Sequence, residues 1–475
     1  MTKILRVGML TPIAKLNPTA PEHETALVLK LVLDTPYAAL PGKAELEPVL
    51  FAGPLERVGS SEPPVYRARV RDGIRFSDGL PLAAHHVAAS LRHARLIREQ
   101  AQIAVEEPWV VFTLRKPNGR FDLSLGHQQC GIYRPHGASL IGTGPFAFAP
   151  DSRPERVHLL RNPNARRRPP LDEIVFEAHA PDREGRPTAL YEALARGALD
   201  VTTVLPPDGS NRLEGLRQTQ LPGPSTGSLF LNTQSPRLRQ AAVRQALAHG
   251  VDRHAVAADA YRNPLAFAAT SLLPRGLAVA PVRDGLTFDP ARAKALLAAA
   301  GTAAPRQLSL LVTWAPRPYL PRPRQTAELL RSQLATLGVA LELVHTHSLD
   351  EFLKAEASGR CDLVLAGWTA ETLDPCDYLE CHLSSARIPG ESSHEDSTNN
   401  GRLRSPEMEQ LLLGYRADRR HEQLVAIMDL LTKEAPLVPL IYGAITFVHA
   451  FRVTGLRPSS LSLLDLAAVD LLGQG

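Results

Sequence analysis

Two short apolar runs on either side of a helix-like segment constrain the fold most strongly. Residues 308–313 and 339–344 are rich in leucine and valine, and each has the length of a strand. Residues 324–337, between them, predict a helix that ends at Gly338. A strand, a helix and a second strand in this order predict an α/β fold for this part of the chain.

A third run, residues 363–365, predicts a buried strand that leads into more specific chemistry. Gly367 lets another surface approach the backbone, and Trp368 offers a flat apolar wall with one hydrogen-bond donor. Glu371 adds a carboxylate before Asp374-Pro375 ends the regular structure. Open α/β sheets present ligands at the carboxyl ends of their strands, so this stretch predicts a ligand site. The alternative is a core tryptophan beside a solvated glutamate.

The stretch from Gly367 to Pro375 resembles the GW-T/S-x-D-x-x-DP signature of the family 5 solute-binding proteins of bacterial ABC transporters. Two longer blocks, residues 70–79 and 231–253, also resemble this family, and shorter matches occur at residues 142–146, 289–297 and 436–442. The resemblance implies a periplasmic-binding-protein-like type II α/β fold, with two lobes joined by a hinge and a trimmed extra subdomain.

The resemblance covers nearly the whole chain and implies its division. Residues 1–225 form a discontinuous first lobe, including a shortened subdomain around residues 30–140. Residues 226–445 form the second α/β lobe, and residues 446–475 return to the first. A length of 475 residues exceeds one ordinary domain, and a hydrophobic content of 44% is ample for the cores that this division requires.

Ligand-binding residues follow from the resemblance. In the family, the acidic residue after the tryptophan holds the α-ammonium group of a peptide; here that position is Glu371, where aspartate is usual. Arg317-Pro318-Tyr319 resembles a segment of the dipeptide-binding subgroup in which the arginine binds the ligand's carboxylate, for which a guanidinium is a planar match. A surface arginine in a proline-rich loop is the alternative. The full predicted set is Glu371, Arg317, Trp368, Tyr319, Gly367, Thr369, Asn232 and Thr233, with Trp368 and Tyr319 as walls of the side-chain space.

The predicted function is therefore the capture of a short peptide, or a similar zwitterion, between two closing lobes for ABC-transporter uptake. The chain would act as a monomer, without a cofactor, and would deliver its ligand to permease subunits if it is exported. Two alternatives stay open: a cytoplasmic ligand sensor or regulator on the same fold, and a recruited enzyme or carrier in a peptide biosynthetic pathway. Ligands known in the family also include nickel chelates and haem.

Several other functions are not supported by any pattern. The net charge of +4 is spread along the chain, and no basic block is interleaved with aromatics, which argues against nucleic acid. The pairs and triplets of arginines at residues 166–168 and 419–420 predict solvated faces. No G-x-S-x-G or HExxH motif indicates an enzyme. The best metal candidates lack the spacing of a zinc site; they are Cys376, Cys381 and His382, with Asp374, Asp377 and His394 nearby.

The location of the protein has two interpretations. No run of about 18 apolar residues could span a membrane. The chain enters a predicted strand at Leu5, which leaves no room for an export signal. Because the family is normally exported, either the signal has been removed and the protein is periplasmic or on the cell surface, or the protein is cytoplasmic. Four cysteines are compatible with either compartment.

Two details of the proposed subdomain can be checked directly. The alternation of Tyr66, Ala68 and Val70 with arginines predicts a half-buried strand, and the turn at Asp72-Gly73 predicts a return strand at residues 74–76. Residues 82–98 then predict a helix whose first turn is poorly capped, because it lacks the usual threonine and acidic residues.

Overall fold

The computed structural model describes residues 2–13, 15–19, 23–39, 46–137, 139–182, 186–204, 215–261, 268–274, 277, 285–313, 315–370, 372, 374–391, 397–457 and 465–472. The chain forms two compact units, one of residues 1–221 and 445–475 and the other of residues 222–444. Each is described here by itself.

The described residues contain twenty strands. In chain order they are β1 (Ile4–Met9), β2 (Tyr37–Ala39), β3 (Leu46–Pro48), β4 (Glu56–Arg57), β5 (Val65–Arg69), β6 (Ala101–Glu106), β7 (Trp109–Leu114), β8 (Tyr133–His136), β9 (Ser139–Gly142), β10 (Phe146–Phe148), β11 (Arg156–Arg161), β12 (Glu173–Ala178), β13 (Val201–Thr202), β14 (Leu216–Leu231), β15 (Gln307–Val312), β16 (Ala340–His345), β17 (Leu363–Thr369), β18 (Leu437–Ala450), β19 (Val453–Thr454) and β20 (Asp470–Leu471). The chain leaves the first unit within β14 and returns to it within β18.

The same residues contain thirteen α-helices. These are α1 (His23–Val32), α2 (Ala84–His93), α3 (Arg95–Gln100), α4 (Phe121–Leu125), α5 (Thr188–Ala195), α6 (Ala241–His249), α7 (Arg253–Tyr261), α8 (Pro290–Ala300), α9 (Pro323–Ala335), α10 (Leu349–Ser358), α11 (Pro375–Leu383), α12 (Pro406–Asp418) and α13 (His421–Glu434). Of the helices described, none is both long enough and apolar enough to cross a membrane.

Local sequence explains where several of these helices begin. Proline at the first turn of α8, α11 and α12 costs no hydrogen bond, because the first N–H groups of a helix have no partner within it. The residue before each helix accepts a hydrogen bond from a backbone N–H of the first turn; these residues are Asp289, Asp374 and Ser405.

A mixed sheet with helices on both faces forms the unit of residues 222–444. Strand β15 pairs in parallel with β16 and β17, and β14 pairs antiparallel with β17. The predicted strand, helix and strand are confirmed as β15, α9 and β16. Successive residues of β17 enter different cores: Leu363 and Leu365 pack with α6, α7, α8 and α9, whereas Val364 and Ala366 pack with α10, α11, α12 and α13. Burial on both faces explains why the strand sequence is continuously apolar.

The other unit is built around β1, which pairs in parallel with β12 and β13. A separate sheet in the order β4-β5-β7-β6 carries α2 against it, with Val87 and Leu91 of the helix in a common core with Phe112. The alternation predicted for β5 is confirmed, since Ala68 and Val70 are buried.

The predicted return strand at residues 74–76 is wrong. Strand β5 has β4 on one side and β7 on the other, so no edge is left for a hairpin partner. Residues 71–80 instead form turns around Phe76, which is completely buried.

The predicted helix at residues 82–98 is broken. It divides at Ala94, whose extended ψ of 115° separates α2 from α3. No side chain of Ala83 caps α2, as expected, but Glu107 from the β6–β7 turn replaces the cap. Its carboxylate accepts hydrogen bonds from the backbone N–H groups of Ala84 and His85, both at 3.1 Å. A negative charge at this end of the helix also matches the helix dipole.

The glycine-rich residues 142–146 serve packing in this unit. A Cβ atom on Gly142 would lie 2.0 Å from the carbonyl oxygen of Val32, at the end of α1. The neighbouring Thr143 hydroxyl donates to Asp34 at 2.9 Å, and the Asn162 side chain donates to the Gly144 carbonyl at 2.7 Å. Close backbone approach therefore accounts for the glycine.

Candidate functional site

A tight turn presents the predicted carboxylate-binding arginine. The Arg317 N–H donates to the Leu320 carbonyl at 3.0 Å, and the Leu320 N–H donates to the Arg317 carbonyl at 2.9 Å. Leu320 is buried in the core, whereas Arg317 and Tyr319 are half-buried. The proline-rich segment is therefore a closed turn anchored at one end, which limits the conformations open to Arg317.

Three glycines on neighbouring strands lie directly beneath this turn, and we call them the glycine seat: Gly227 on β14, Gly367 on β17 and Gly443 on β18. A Cβ atom on Gly227 would lie 2.2 Å from the Tyr319 carbonyl oxygen, and one on Gly367 would lie 2.6 Å from the Tyr319 ring. The prediction that Gly367 admits another surface is confirmed, and that surface is Tyr319.

The tyrosine is neutral in this setting. Burial raises the pKa of Tyr319 to about 12, with a small opposing effect from Arg317 and a small additional one from Glu356. Its hydroxyl can therefore donate as well as accept a hydrogen bond throughout the physiological pH range.

Trp368 belongs to the other face of the sheet. Adjacent residues of a strand point to opposite faces, so Trp368 points away from the face of Gly367 and Tyr319. It packs against the core that contains Tyr378, and the Tyr378 hydroxyl donates to its carbonyl oxygen at 3.1 Å. The structure thus does not bring the two predicted aromatic walls together. Thr369, two residues beyond Gly367, returns to the face of the glycine seat.

Asn232 and Thr233 directly follow β14, just beyond the last residue that pairs with β17. The Asn232 side chain donates to the carbonyls of Gly359 and Cys361 at 3.0 and 3.1 Å, and the Thr233 hydroxyl donates to the carbonyl of Arg402 at 3.0 Å. Asn232 lies five positions after Gly227 of the glycine seat, roughly 17 Å along the chain at 3.3 Å per residue. These two predicted site residues therefore fasten loops and are not grouped with Tyr319.

Glu371, the predicted ammonium-binding residue, lies outside the described residues. Directly after it the Thr372 hydroxyl donates to Asp377 at 2.7 Å, and Asp374 caps α11 by accepting from the Cys376 N–H at 2.9 Å. The residues around Glu371 are thus tied to the start of α11.

Two arginines of α12 and its end complete this network. Arg416 pairs with Asp377 at 2.8 Å and with Glu380 at 2.6 Å, and Arg419 pairs with the buried carboxylate of Asp374. The expectation that residues 419–420 are solvated is wrong for Arg419, whose side chain is only 10% exposed. The signal in the sequence is spacing: carboxylates recur every three residues on α11, and the two arginines are three apart, as on matching helical faces.

Three carboxyl groups thus face two guanidinium groups. Burial, and then repulsion by Asp377, raises the pKa of Asp374 to about 6. Burial opposes ionisation of Asp377 too, but the attraction of Arg416 outweighs it and lowers the pKa of Asp377. Of the two aspartates, Asp374 therefore takes up a proton first as the pH falls.

The cysteines and histidine nearby form no reactive centre within the described part of the chain. No group of three or more histidine, cysteine or acidic side chains could hold a metal ion there, and His394 lies outside it. Burial lowers the pKa of His382 to about 4, and burial raises the pKa of the Cys376 thiol well above its ordinary value. A thiol held in its protonated form is not an activated nucleophile, and a histidine with so low a pKa is neutral at physiological pH.

The mixed sheet, its two helical layers and the order of its strands define the type II class of periplasmic-binding-protein folds. Residues 59–390 match the family described as bacterial extracellular solute-binding proteins, family 5 Middle. The chain belongs to that family.

Relatives with names and structures agree on the fold. The dipeptide-binding protein of Escherichia coli (strain K12) is 27% identical over 291 residues, which are 60% of this chain and 52% of that protein, so the match spans about half of the relative's length. The structure of HbpA2 from Haemophilus parasuis superposes with a TM-score of 0.82 at 22% identity and covers 99% of this chain and 100% of its own. A dipeptide-binding protein from Pseudoalteromonas sp. SM9913, in complex with Met-Leu, gives a TM-score of 0.74 at 20% identity over 99% of this chain and 100% of its own.

Proposed function

We propose that this solute-binding protein binds a short peptide through the peptide's two charged ends. The observation that carries the proposal is the closed turn of residues 317–320, which presents Arg317 and Tyr319 over the strand whose chain continues to Glu371. In this proposal the chain supplies a cation at Arg317 and an anion at Glu371, the two charges that a zwitterionic ligand requires.

In this proposal Arg317 binds the peptide carboxylate in bidentate fashion and Glu371 binds the ammonium group. The neutral Tyr319 hydroxyl donates a further hydrogen bond to the ligand. Burying a zwitterion is unfavourable unless both charges are paired, so a site of this kind selects peptides whose ends are free. The name of the Escherichia coli relative, a dipeptide-binding protein, supports the same ligand class.

The rest of the function follows the family. We propose that the protein acts outside the cytoplasmic membrane as a monomer and delivers its peptide to the permease subunits of an ABC transporter. Recognition without catalysis is the role we assign to it, because the buried Cys376 and His382 are held in unreactive protonation states.

Calorimetric titration with dialanine tests the proposal. The chain is expected to bind dialanine, and to bind the C-terminal amide and the N-acetyl form much more weakly, because each modification removes one of the charges that the site pairs. Equal affinity for all three forms would show that the site does not recognise charged ends, and the proposal would then be wrong.

A further inference from the structure

We infer that the glycine seat positions residues of the ligand site. Because Gly227, Gly367 and Gly443 have no side chains, the turn that carries Arg317 and Tyr319 packs directly on the strand backbone. This contact fixes the positions of both residues. The inference deepens the proposed function and rests on it. None of the three glycines needs to contact the ligand, since they act through the turn.

The three glycines lie side by side on neighbouring strands. Gly227 and Gly367 are direct partners in the β14–β17 pairing, and Gly443 lies on β18, the next strand beyond β14. Glycine in the interior of a strand weakens the strand, and it usually marks a close approach of another backbone. The three glycines of the seat lie beneath one turn, as expected where another backbone segment approaches a strand closely.

Backbone atoms of the turn lie above two of the three glycines. A Cβ atom on Gly227 would lie 2.2 Å from the Tyr319 carbonyl oxygen, and one on Gly443 would lie 3.2 Å from the carbonyl oxygen of Pro318. Both are backbone atoms of the turn, so no change of rotamer could relieve the Gly227 contact. A methyl group added at Gly227 must therefore move the turn itself, together with the Arg317 and Tyr319 side chains.

The turn cannot move without changing the directions of the Arg317 and Tyr319 side chains. Its two internal hydrogen bonds close it, and Leu320 is fully buried beside it. A displacement is therefore a tilt of the closed turn about this anchor. Because a bidentate contact depends on the angle of the guanidinium plane, a small tilt suffices to lose it.

Gly227→Ala is the direct test, with dialanine and its C-terminal amide as the two ligands. The variant is expected to lose at least tenfold in affinity for dialanine and far less for the amide, so that the ratio of the two affinities falls toward one. Hydrogen exchange at the Leu320 amide should increase at the same time. Gly53→Ala is the matched control, because a Cβ atom there meets nothing within 4 Å.

A second pair of variants keeps the test open if Gly227→Ala does not fold. A Cβ atom on Gly443 would lie 2.0 Å from the Ser225 hydroxyl oxygen, a side-chain atom that can be removed. Gly443→Ala alone is expected to lower the ratio of affinities, and Gly443→Ala combined with Ser225→Ala is expected to restore much of it.

The outcomes separate the two proposals. A wild-type chain that binds neither ligand contradicts the proposed function and with it the positioning role. If the wild type prefers dialanine to its amide and a folded Gly227→Ala chain keeps the same preference, the positioning role is overturned while the peptide site stands. A general loss of stability would lower both affinities without changing their ratio, and that result would also overturn it.

Discussion

The two ends of the β14–β17 pair are built in opposite ways. At the Asn232 end, the buried Asp362 carboxylate accepts hydrogen bonds from the Ser235 hydroxyl at 2.6 Å and from the N–H and hydroxyl of Ser309 at 3.0 and 3.1 Å. At the Gly367 end, the side chains of Tyr319 and Thr369 are half-buried, and the turn of residues 317–320 packs on the glycine seat. One end is a satisfied polar network, and the other leaves side chains at the surface.

The difference shows how sequence patterns should be interpreted. The conspicuous Asn232-Thr233 block marks a place where side chains fasten loops, and such residues contribute to stability. Under the proposed function the peptide binds at the Gly367 end, next to the turn that carries Arg317. Stability and binding are then expected to depend on different ends of the strand pair.

Asp362→Ala is expected to have the largest effect. It removes a buried carboxylate and leaves its serine donors without partners, so the free energy of unfolding should fall by roughly 3–5 kcal/mol. Denaturant titration measures this. The exposed Asp350→Ala is the control, with a change expected within about 0.5 kcal/mol. If the free energy of unfolding of the Asp362 variant falls no more than that of the Asp350 variant, the polar network at the Asn232 end does not stabilise the fold.

Arg317→Ala should change binding and leave stability nearly unchanged. Loss of a charge-assisted bidentate contact is expected to weaken dialanine binding roughly tenfold to a hundredfold, while affinity for the C-terminal amide stays nearly constant. Calorimetry gives both affinities. Arg324→Ala, an exposed arginine at the start of α9, is the matched control. Unchanged dialanine affinity in the Arg317 variant would show that the peptide carboxylate does not bind at this end of the strand pair.

The pH dependence of stability tests the network beside the Gly367 end. Because the pKa of Asp374 is raised to about 6 from an ordinary value of 3.8, its protonated form is favoured by folding. That stabilisation is fully present below pH 3.8 and is lost as the pH rises through about 6. A shift of this size corresponds to about 3 kcal/mol. The lowered pKa of Asp377 acts below this window, so it does not cancel the effect.

Asp374→Asn isolates this contribution. Asparagine keeps the cap of α11, because its side-chain oxygen can still accept from the Cys376 N–H. The variant should therefore fold, and its free energy of unfolding should fall less than that of the wild type between about pH 4 and about pH 7, by up to about 3 kcal/mol. Denaturant titrations at several pH values give both curves. If the free energies of unfolding of the variant and the wild type change equally with pH, Asp374 is not the group whose protonation stabilises the fold.

Sequence reasoning predicted the α/β architecture because it depends on local patterns. The apolar runs of β15, β16 and β17 are set by neighbouring residues, and all three are strands in the structure. The glycine at position 367 was also identified as a point of close approach. Such features need only the chain on either side of them.

The parts that sequence reasoning missed depend on pairing between distant segments. Residues 74–76 have strand-like composition, but both edges of β5 are occupied by strands that the local pattern cannot reveal. Arg419 looks like a surface residue until α11 brings Asp374 to it. The grouping of Trp368 with Tyr319 ignored the alternation of strand faces, although that alternation is visible in the sequence once the strand is assigned.

Trp368→Phe should have the smallest effect, and it tests that alternation. The side chain packs with Tyr378 on the face opposite the glycine seat, so a shorter aromatic ring should cost about 1 kcal/mol of stability, as a conservative change in a core does. Dialanine affinity should change less than threefold, because no contact of the Arg317 turn is altered. Thermal unfolding and calorimetry measure the two quantities, with Phe230→Leu as a control from the same core. If dialanine affinity falls well beyond threefold while stability falls by only about 1 kcal/mol, Trp368 contacts the peptide directly. The ligand would then reach both faces of β17.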